Sequence, residues 1–237
     1  MGTVYRMTLR QLSSRWRLLI MTVLAMMPVI IALLMLRSAN APSVQDFETV
    51  ILSAMLAGSI APLVVLAIAA PAFANEIEDK TLANLVLAPL SRGRIALPKL
   101  LATVTVATPF MAASAFATSY VAFLGDMTAT IAVTVAVIAG VAMYAAAFVW
   151  LGLVTTQAIG VGLLYIVLWE GLFSGFVSGV RLLSIRHYSI ALMHGLDERR
   201  FAFTGHMNFA VAIVISSLVF AGFLLLSIRR LRRMDVP

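Results

Sequence analysis

Glu170 is an acidic residue inside an otherwise apolar run, LYIVLWEGLFSGF. A carboxylate in hydrocarbon is costly and by default marks a functional site, such as a substrate path or a gate. The position also has a structural interpretation. A helix that ends or breaks at Gly171 would leave Glu170 to cap a helix or to pair with an arginine on the outer side. The residues alone leave both interpretations open.

The other residue types that carry enzyme chemistry are not arranged for it. The two lysines, Lys80 and Lys99, lie outside any GxxxxGK[ST] phosphate loop, and the three histidines lack the spacing of an HExxH metal site. The chain has no cysteine, which excludes thiolate chemistry and disulfides. No pair of acidic residues lies within the apolar runs. We therefore predict a protein without a catalytic or metal site of its own.

Three glycines follow Glu170 at intervals of four residues: Gly171, Gly175 and Gly179. Glycines on one helix face let two helix backbones approach closely in a membrane. The pattern fits an interface between two subunits, a crossing within this chain, or a break that leads into short outer helices. Spacing does not separate these three possibilities.

The composition is that of a polytopic membrane protein. The 237 residues are 62% hydrophobic and 11% charged, with a mean hydropathy of +1.03, whereas a soluble domain carries about 25% charged residues. The net charge of +7 could suggest nucleic-acid binding. The distribution of the basic residues indicates membrane topology instead.

We predict an all-α fold with six transmembrane spans, at about 18–36, 49–74, 100–123, 128–152, 158–177 and 206–228. Residues 127–169 contain no Asp, Glu, Lys or Arg over 43 positions. As one helix they would extend about 65 Å, twice the hydrocarbon thickness. They must therefore form two spans with a turn between them, and Gly152 and residues 155–157 are the best place for it. Gly125 and Asp126 mark another turn.

Short helices are predicted outside the spans. Residues 4–17 suit an interfacial helix, with apolar and aromatic residues on one face (Tyr5, Leu9, Leu12, Trp16) and arginines on another. The alternative is a positively charged flank to the first span. Residues 178–205, which connect spans five and six, are predicted to form short outer helices that dip into the membrane interface.

The positive-inside rule orients the spans. With six spans, both termini and residues 75–99 lie on the side that holds 12 of the 17 Lys and Arg residues. That side is predicted to be cytoplasmic, in the cytoplasmic membrane.

Residues 75–99 (NEIEDKTLANLVLAPLSRGRIALPK) form the longest polar passage between apolar blocks. Asn75 followed by Glu78 predicts a helix N-cap with a reciprocating acid, and Glu76, Glu78 and Asp79 suit the positive end of the helix dipole. Pro89 would end this helix. Its apolar residues fall on two sides, which fits a helix held between the membrane subunit and a partner. The alternative is an ordinary cytosolic loop.

The same passage resembles the cytoplasmic loop between the second and third spans of ABC-2 type transporter permeases. That family has an acidic E-x-E-x-[KR]-T-L run followed by a P-[LI]-S-R turn. The matching residues are Glu76, Glu78, Lys80, Thr81, Leu82, Pro89, Leu90, Ser91 and Arg92. The runs LWEGLF and RLLSIRHY resemble the end of the fifth span and the outer helices of bacterial members.

The resemblance implies a permease subunit that binds a cytosolic ABC ATPase through a coupling helix and pairs with a second permease copy, either identical or a paralogue. ATP and Mg would be bound by the ATPase subunit and no cofactor by this chain. The residues implied to contact the ATPase are Glu76, Glu78, Asp79, Lys80, Thr81, Leu82, Pro89, Ser91 and Arg92. Apolar, nearly uncharged spans favour export of a hydrophobic or amphiphilic substrate, through a dimer interface along the second and fifth spans.

Two alternatives remain at this point. A secondary transporter driven by an ion gradient would need several buried ionisable groups and an inverted repeat, and the sequence offers Glu170 and no convincing repeat. An ABC-2 subunit could instead transmit force to a periplasmic partner without moving a substrate. The partners are otherwise the lipid bilayer and no nucleic acid.

Overall fold

The structure is a computed structural model that describes residues 2–37, 44–78, 91–173, 184–201 and 207–233. Within these ranges the chain consists of helices and connecting turns. Five helices are long and apolar enough to cross a membrane. They are α2 (Arg15–Arg37), α3 (Glu48–Ile77), α4 (Gly93–Ala122), α5 (Met127–Val154) and α8 (Phe209–Arg233). The remaining predicted span, the fifth, begins as a shorter apolar helix, α6 (Ala158–Leu172).

Besides the four-residue helix Val44–Phe47, which leads directly into α3, two short helices of the described residues lie outside these spans. The first, α1 (Gly2–Leu12), ends before Ser13 and Ser14, where serine side chains compete with the helical backbone for hydrogen bonds. The predicted interfacial helix 4–17 is therefore too long. Trp16 belongs to α2 and is 76% exposed, while Leu12 is buried. The helix α1 packs against α4, where the Tyr5 hydroxyl donates to Thr105 Oγ1 at 3.1 Å.

The helix α3 continues through Asn75, so the predicted N-cap there is wrong. The segment Pro71–Glu78 is helical, and the Ala74 N–H donates to the Ala70 carbonyl at 3.2 Å. A proline is tolerated in the first turn of a helical segment, and here Pro71 does not stop the chain from carrying the helix onward. The second span therefore extends beyond its predicted end at residue 74, and Asn75 lies inside the helix rather than before one.

Both turns predicted around α5 are present. Asp126 precedes the helix, and its side chain accepts hydrogen bonds from the N–H groups of Thr128 and Ala129 at 3.1 and 3.3 Å. The preceding residues Leu124 and Gly125 have positive φ angles of 53° and 85°, a conformation that glycine adopts easily. At the other end α5 stops at Val154, and α6 begins at Ala158.

The helices α3 and α5 form the centre of the bundle. In their most apolar stretches 67% and 61% of the residues are buried, against 22% in α2 and 6% in α8. Gly152 of α5 lies against the backbone of Ala70, where no Cβ would fit. A dimer interface is predicted along the second span, which is α3. Because most residues of α3 are already buried within the chain, only a minority of them could contact a second copy. Many of the exposed large apolar side chains lie on α2, α6 and α8.

The second short helix, α7 (Ile185–Leu196), enters the bundle more deeply than an interfacial helix would. Most of its residues from Ile185 to Met193 are buried, and Ser189 packs against Gly140, which lies at the middle of α5. The start of α7 therefore lies inside the bundle, beside α6. Non-helical backbone at this depth is tolerated in a membrane protein where protein surrounds it.

Candidate functional site

Two clusters of buried polar side chains between the described helices contain the predicted site residues Glu170 and Glu76. The first, the Glu170 cluster, comprises Tyr165, Glu170, Ser184, Arg186 and Ser53. The second, the Lys99 cluster, comprises Lys99, Glu76 and the backbone and ring that contact them. The helix α3 contributes to both, and each joins helices that are distant in the sequence.

Glu170 is completely buried, and its carboxylate accepts hydrogen bonds from donors on α6 and at the start of α7. One comes from the Tyr165 hydroxyl at 2.9 Å, one from the Ser184 hydroxyl at 2.5 Å, and one from the Ile185 N–H at 3.1 Å. Each of these contacts supplies a donor to a buried acceptor. The last two donors stand at the beginning of α7, where the helix dipole also favours negative charge.

The carboxylate thus extends the N-terminal cap of α7. Ser184 itself accepts a hydrogen bond from the His187 N–H at 3.3 Å, as N-cap serines do. The free N–H groups of a helix that starts inside a bundle need partners, and Glu170 provides one from α6. The sequence left two roles open for Glu170, a substrate path or gate and a structural role. The geometry described above is the one that a helix cap requires.

Arg186 connects the Glu170 cluster to α3. Its guanidinium donates to Ser53 Oγ at 2.7 and 3.1 Å and to the Glu170 backbone carbonyl at 3.2 Å. The predicted pairing of Glu170 with an outer arginine concerns its carboxylate, whereas this contact of Arg186 is with the main-chain carbonyl. Gly58 faces the Arg186 side chain, and a Cβ at that position would lie 2.9 Å from Arg186 Cδ.

Two π-helical segments meet at the Glu170 cluster. One is Glu48–Ile60, which carries Ser53 and Gly58, and the other is Tyr165–Phe173, which carries Tyr165 and Glu170. A π-helix is rare, and short π-helical stretches often occur at functional sites. Hydrophobic periodicity does not reveal such a local change of winding, so neither segment was predicted from the sequence.

The Lys99 cluster closes one end of the bundle. Lys99 is 1% exposed, and its ammonium lies 2.5 Å from Glu76 Oε1, 2.5 Å from the Ala72 carbonyl and 4.3 Å from the centre of the Phe73 ring. The pair joins α3 to α4, the two helices that flank residues 79–90. In the sequence Lys99 counts as an ordinary basic residue of the cytoplasmic side, and this contact was not predicted.

The residues predicted to couple to an ATPase are described in part. Asp79, Lys80, Thr81, Leu82 and Pro89 lie outside the described residues, and Glu78 is the last residue of its helical segment. Ser91 is exposed, and Arg92 directly precedes α4. The structure brings Glu76 to Lys99, so one predicted contact residue faces into the bundle. The two edges of the predicted coupling region lie at the same end of the molecule, because Lys99 joins α3 to α4 there.

The glycines predicted for helix packing are also described in part. Gly171 is exposed, and a Cβ there would come no nearer than 3.6 Å to the Ile166 carbonyl. Gly175 and Gly179 lie outside the described residues. Close helix contacts occur at other glycines, including Gly152 and Gly162. Within the described ranges, no three acidic or histidine side chains gather closely enough to hold a metal ion.

Most of the chain matches a known protein family. The family described as ABC-2 family transporter protein matches residues 12–185, which is more than half of the chain. This range runs from the end of α1 to the start of α7 and contains Glu76, Lys99 and Glu170. A search of curated proteins finds no match.

Proposed function

The chain belongs to the ABC-2 family of transporter proteins, and from this premise we propose that it is the permease subunit of an ATP-driven exporter. Separate cytosolic ATPase subunits would bind ATP and Mg and would contact this chain through residues 75–92. Two permease copies would enclose the substrate path. Both termini would lie in the cytoplasm.

The observation that carries the proposal is the family match over residues 12–185, which includes the whole predicted coupling region. The Lys99 cluster supports it in physical terms. Residues 79–90 connect α3 to α4, so a force applied to them would act on both helices. The buried ion pair holds α3 and α4 together near the two ends of this connection. Movement at the segment would thus be shared by the central helix of the bundle and its neighbour.

We infer the substrate class from the surface of the spans. Large apolar side chains are exposed along α2, α6 and α8, and the charged groups of the two clusters are buried or paired. Such walls favour a hydrophobic or amphiphilic cargo over a charged one. The exposed face at Gly171 is available for a second permease copy, since small residues let helices approach.

Glu170 is proposed to act first as a structural residue that fixes the start of α7. The donors on Tyr165, Ser184 and Ile185 hold the carboxylate in place, which is what a helix cap requires. A gating role would additionally require these bonds to change during transport. Replacing Glu170 by Gln and measuring transport and ATP hydrolysis together separates the two roles, because a cap alone affects stability before activity.

The test of the proposal is co-purification of an ATPase subunit with the tagged chain. We expect Glu78→Lys and Arg92→Glu each to weaken the association, since both reverse a charge in the predicted contact. Glu198→Lys is the matched control, because Glu198 is an exposed acid in the turn after α7, predicted to be on the outer side. Unchanged association in both coupling variants would refute the assignment of residues 75–92.

A further inference from the structure

A groove of about 540 Å³ lies between α5, α6, α7 and α8. Its walls include Trp150, Tyr165, Trp169, Tyr188 and Phe223, and none of the described residues that line it is charged. The Trp150 and Phe223 rings are in contact, with centroids 5.6 Å apart. The volume falls within the range of ligand sites, roughly 300–1,000 Å³.

The lining residues of the groove follow two helices for more than one turn. Val161, Tyr165 and Trp169 line it at intervals of four residues on α6. Val219 and Phe223 line it at the same interval on α8. These helices belong to the membrane part of the chain, and helices that cross a bilayer run in roughly the same direction as the lipid chains. Val161 is 44% exposed, so the groove is open to the surface.

The size of the groove favours a slender occupant. A helix has a diameter of about 10 Å with its side chains, so a groove of about 540 Å³ would enclose little of one. A partner protein could place single side chains in it. A slender apolar chain fits both the volume and the uncharged lining.

We propose that this groove binds one hydrocarbon chain of a bilayer lipid. The chain lies along α6 between Trp150 and Trp169, and the headgroup lies beyond the groove, since the described walls carry no charged side chain. Lipid is also the apolar ligand present at the highest concentration around a membrane-spanning helix. The site does not depend on ATPase docking or on the direction of transport, so it can fail or stand separately from the proposed function.

The distribution of tryptophans allows a direct test. The protein has three tryptophans; Trp150 and Trp169 line the groove, while Trp16 lies at the start of α2. The full chain is reconstituted in phosphatidylcholine vesicles containing increasing fractions of phosphatidylcholine with dibrominated acyl chains, which quench tryptophan on contact. The Trp16→Phe variant then reports on the groove alone, and a Trp150→Phe/Trp169→Phe variant reports on Trp16 alone.

We expect strong quenching in Trp16→Phe that is largely lost when Ala147→Phe is added to fill the groove. Val219→Phe serves as a second filling variant if the first does not fold. Val214→Phe is the matched control, because Val214 is an exposed residue of α8 outside the groove. Neither filling variant should change the quenching of Trp16.

Absence of quenching in Trp16→Phe, which a second protein copy over the groove would cause, overturns the proposal. Quenching that both filling variants leave unchanged also overturns it.

Discussion

The Lys99 cluster and the Glu170 cluster each hold an ionisable side chain buried between helices, and they stabilise it with different partners. In the Lys99 cluster a positive and a negative side chain neutralise each other between α3 and α4. In the Glu170 cluster a carboxylate is held by two hydroxyl groups and a backbone N–H at the start of α7. The first depends on one oppositely charged side chain, and the second distributes its stabilisation over several donors. The Lys99 cluster should therefore be the more sensitive to a single substitution.

Lys99→Met is expected to have the largest effect on stability. Removing one partner of a buried ion pair leaves an uncompensated charge and costs about 3–5 kcal/mol. The double variant Lys99→Met/Glu76→Leu should recover much of this loss, because both charges are then gone. Thermal unfolding of the purified chain in detergent measures both variants. A double variant as unstable as the single one would show that the pair does not control stability.

Glu170→Gln is expected to cost less, about 1.5–3 kcal/mol, the contribution of a hydrogen bond to a charged group. The amide oxygen of Gln can still accept from some of the same donors, but the charge that favours the start of α7 is lost. The same unfolding measurement compares it with Lys99→Met. A loss larger than that of Lys99→Met would reverse the order that the two geometries predict.

Ser184→Ala is expected to have the smallest effect, about 1 kcal/mol, as for other N-cap residues. The variant removes one donor to Glu170 and one acceptor for the His187 N–H. Ser217→Ala is the matched control, because Ser217 is an exposed serine of α8 that bonds within its own helix. If both variants have the same stability as the original chain, α7 does not rely on this cap.

Local sequence patterns predicted the helical class, the five described helices that are long and apolar enough to cross a membrane, and the turns on both sides of α5. These features depend on apolar runs and on turn residues such as Gly125 and Asp126, which act over a few positions. The bounds were less accurate where a local signal had two meanings. An Asn three residues before a Glu can begin a helix or lie within one, and in α3 the helix continues through Asn75.

The contacts within both clusters could not be predicted from local sequence patterns. Lys99 and Glu76 are separated by 23 positions, and Arg186 and Ser53 by 133, so their pairing depends on how the helices pack. The buried start of α7 likewise follows from packing against Gly140. Glu170 could be selected from the sequence as an acid in an apolar run. Its partners required the structure.

Residues 75–92 are proposed to be the cytoplasmic contact with an ATPase, and a cysteine probe tests this contact directly. The chain has no cysteine, so Ser91→Cys introduces a unique thiol at an exposed position. Met127→Cys, 52% exposed at the start of α5, is the matched probe for the opposite face.

We expect Ser91→Cys to react with a membrane-impermeant maleimide from the cytoplasmic side and to crosslink to the co-purified ATPase subunit. Met127→Cys should react from the other side and should not crosslink. Labelling of both positions from the same side, or a Ser91→Cys chain that never crosslinks to a bound ATPase, would contradict the account.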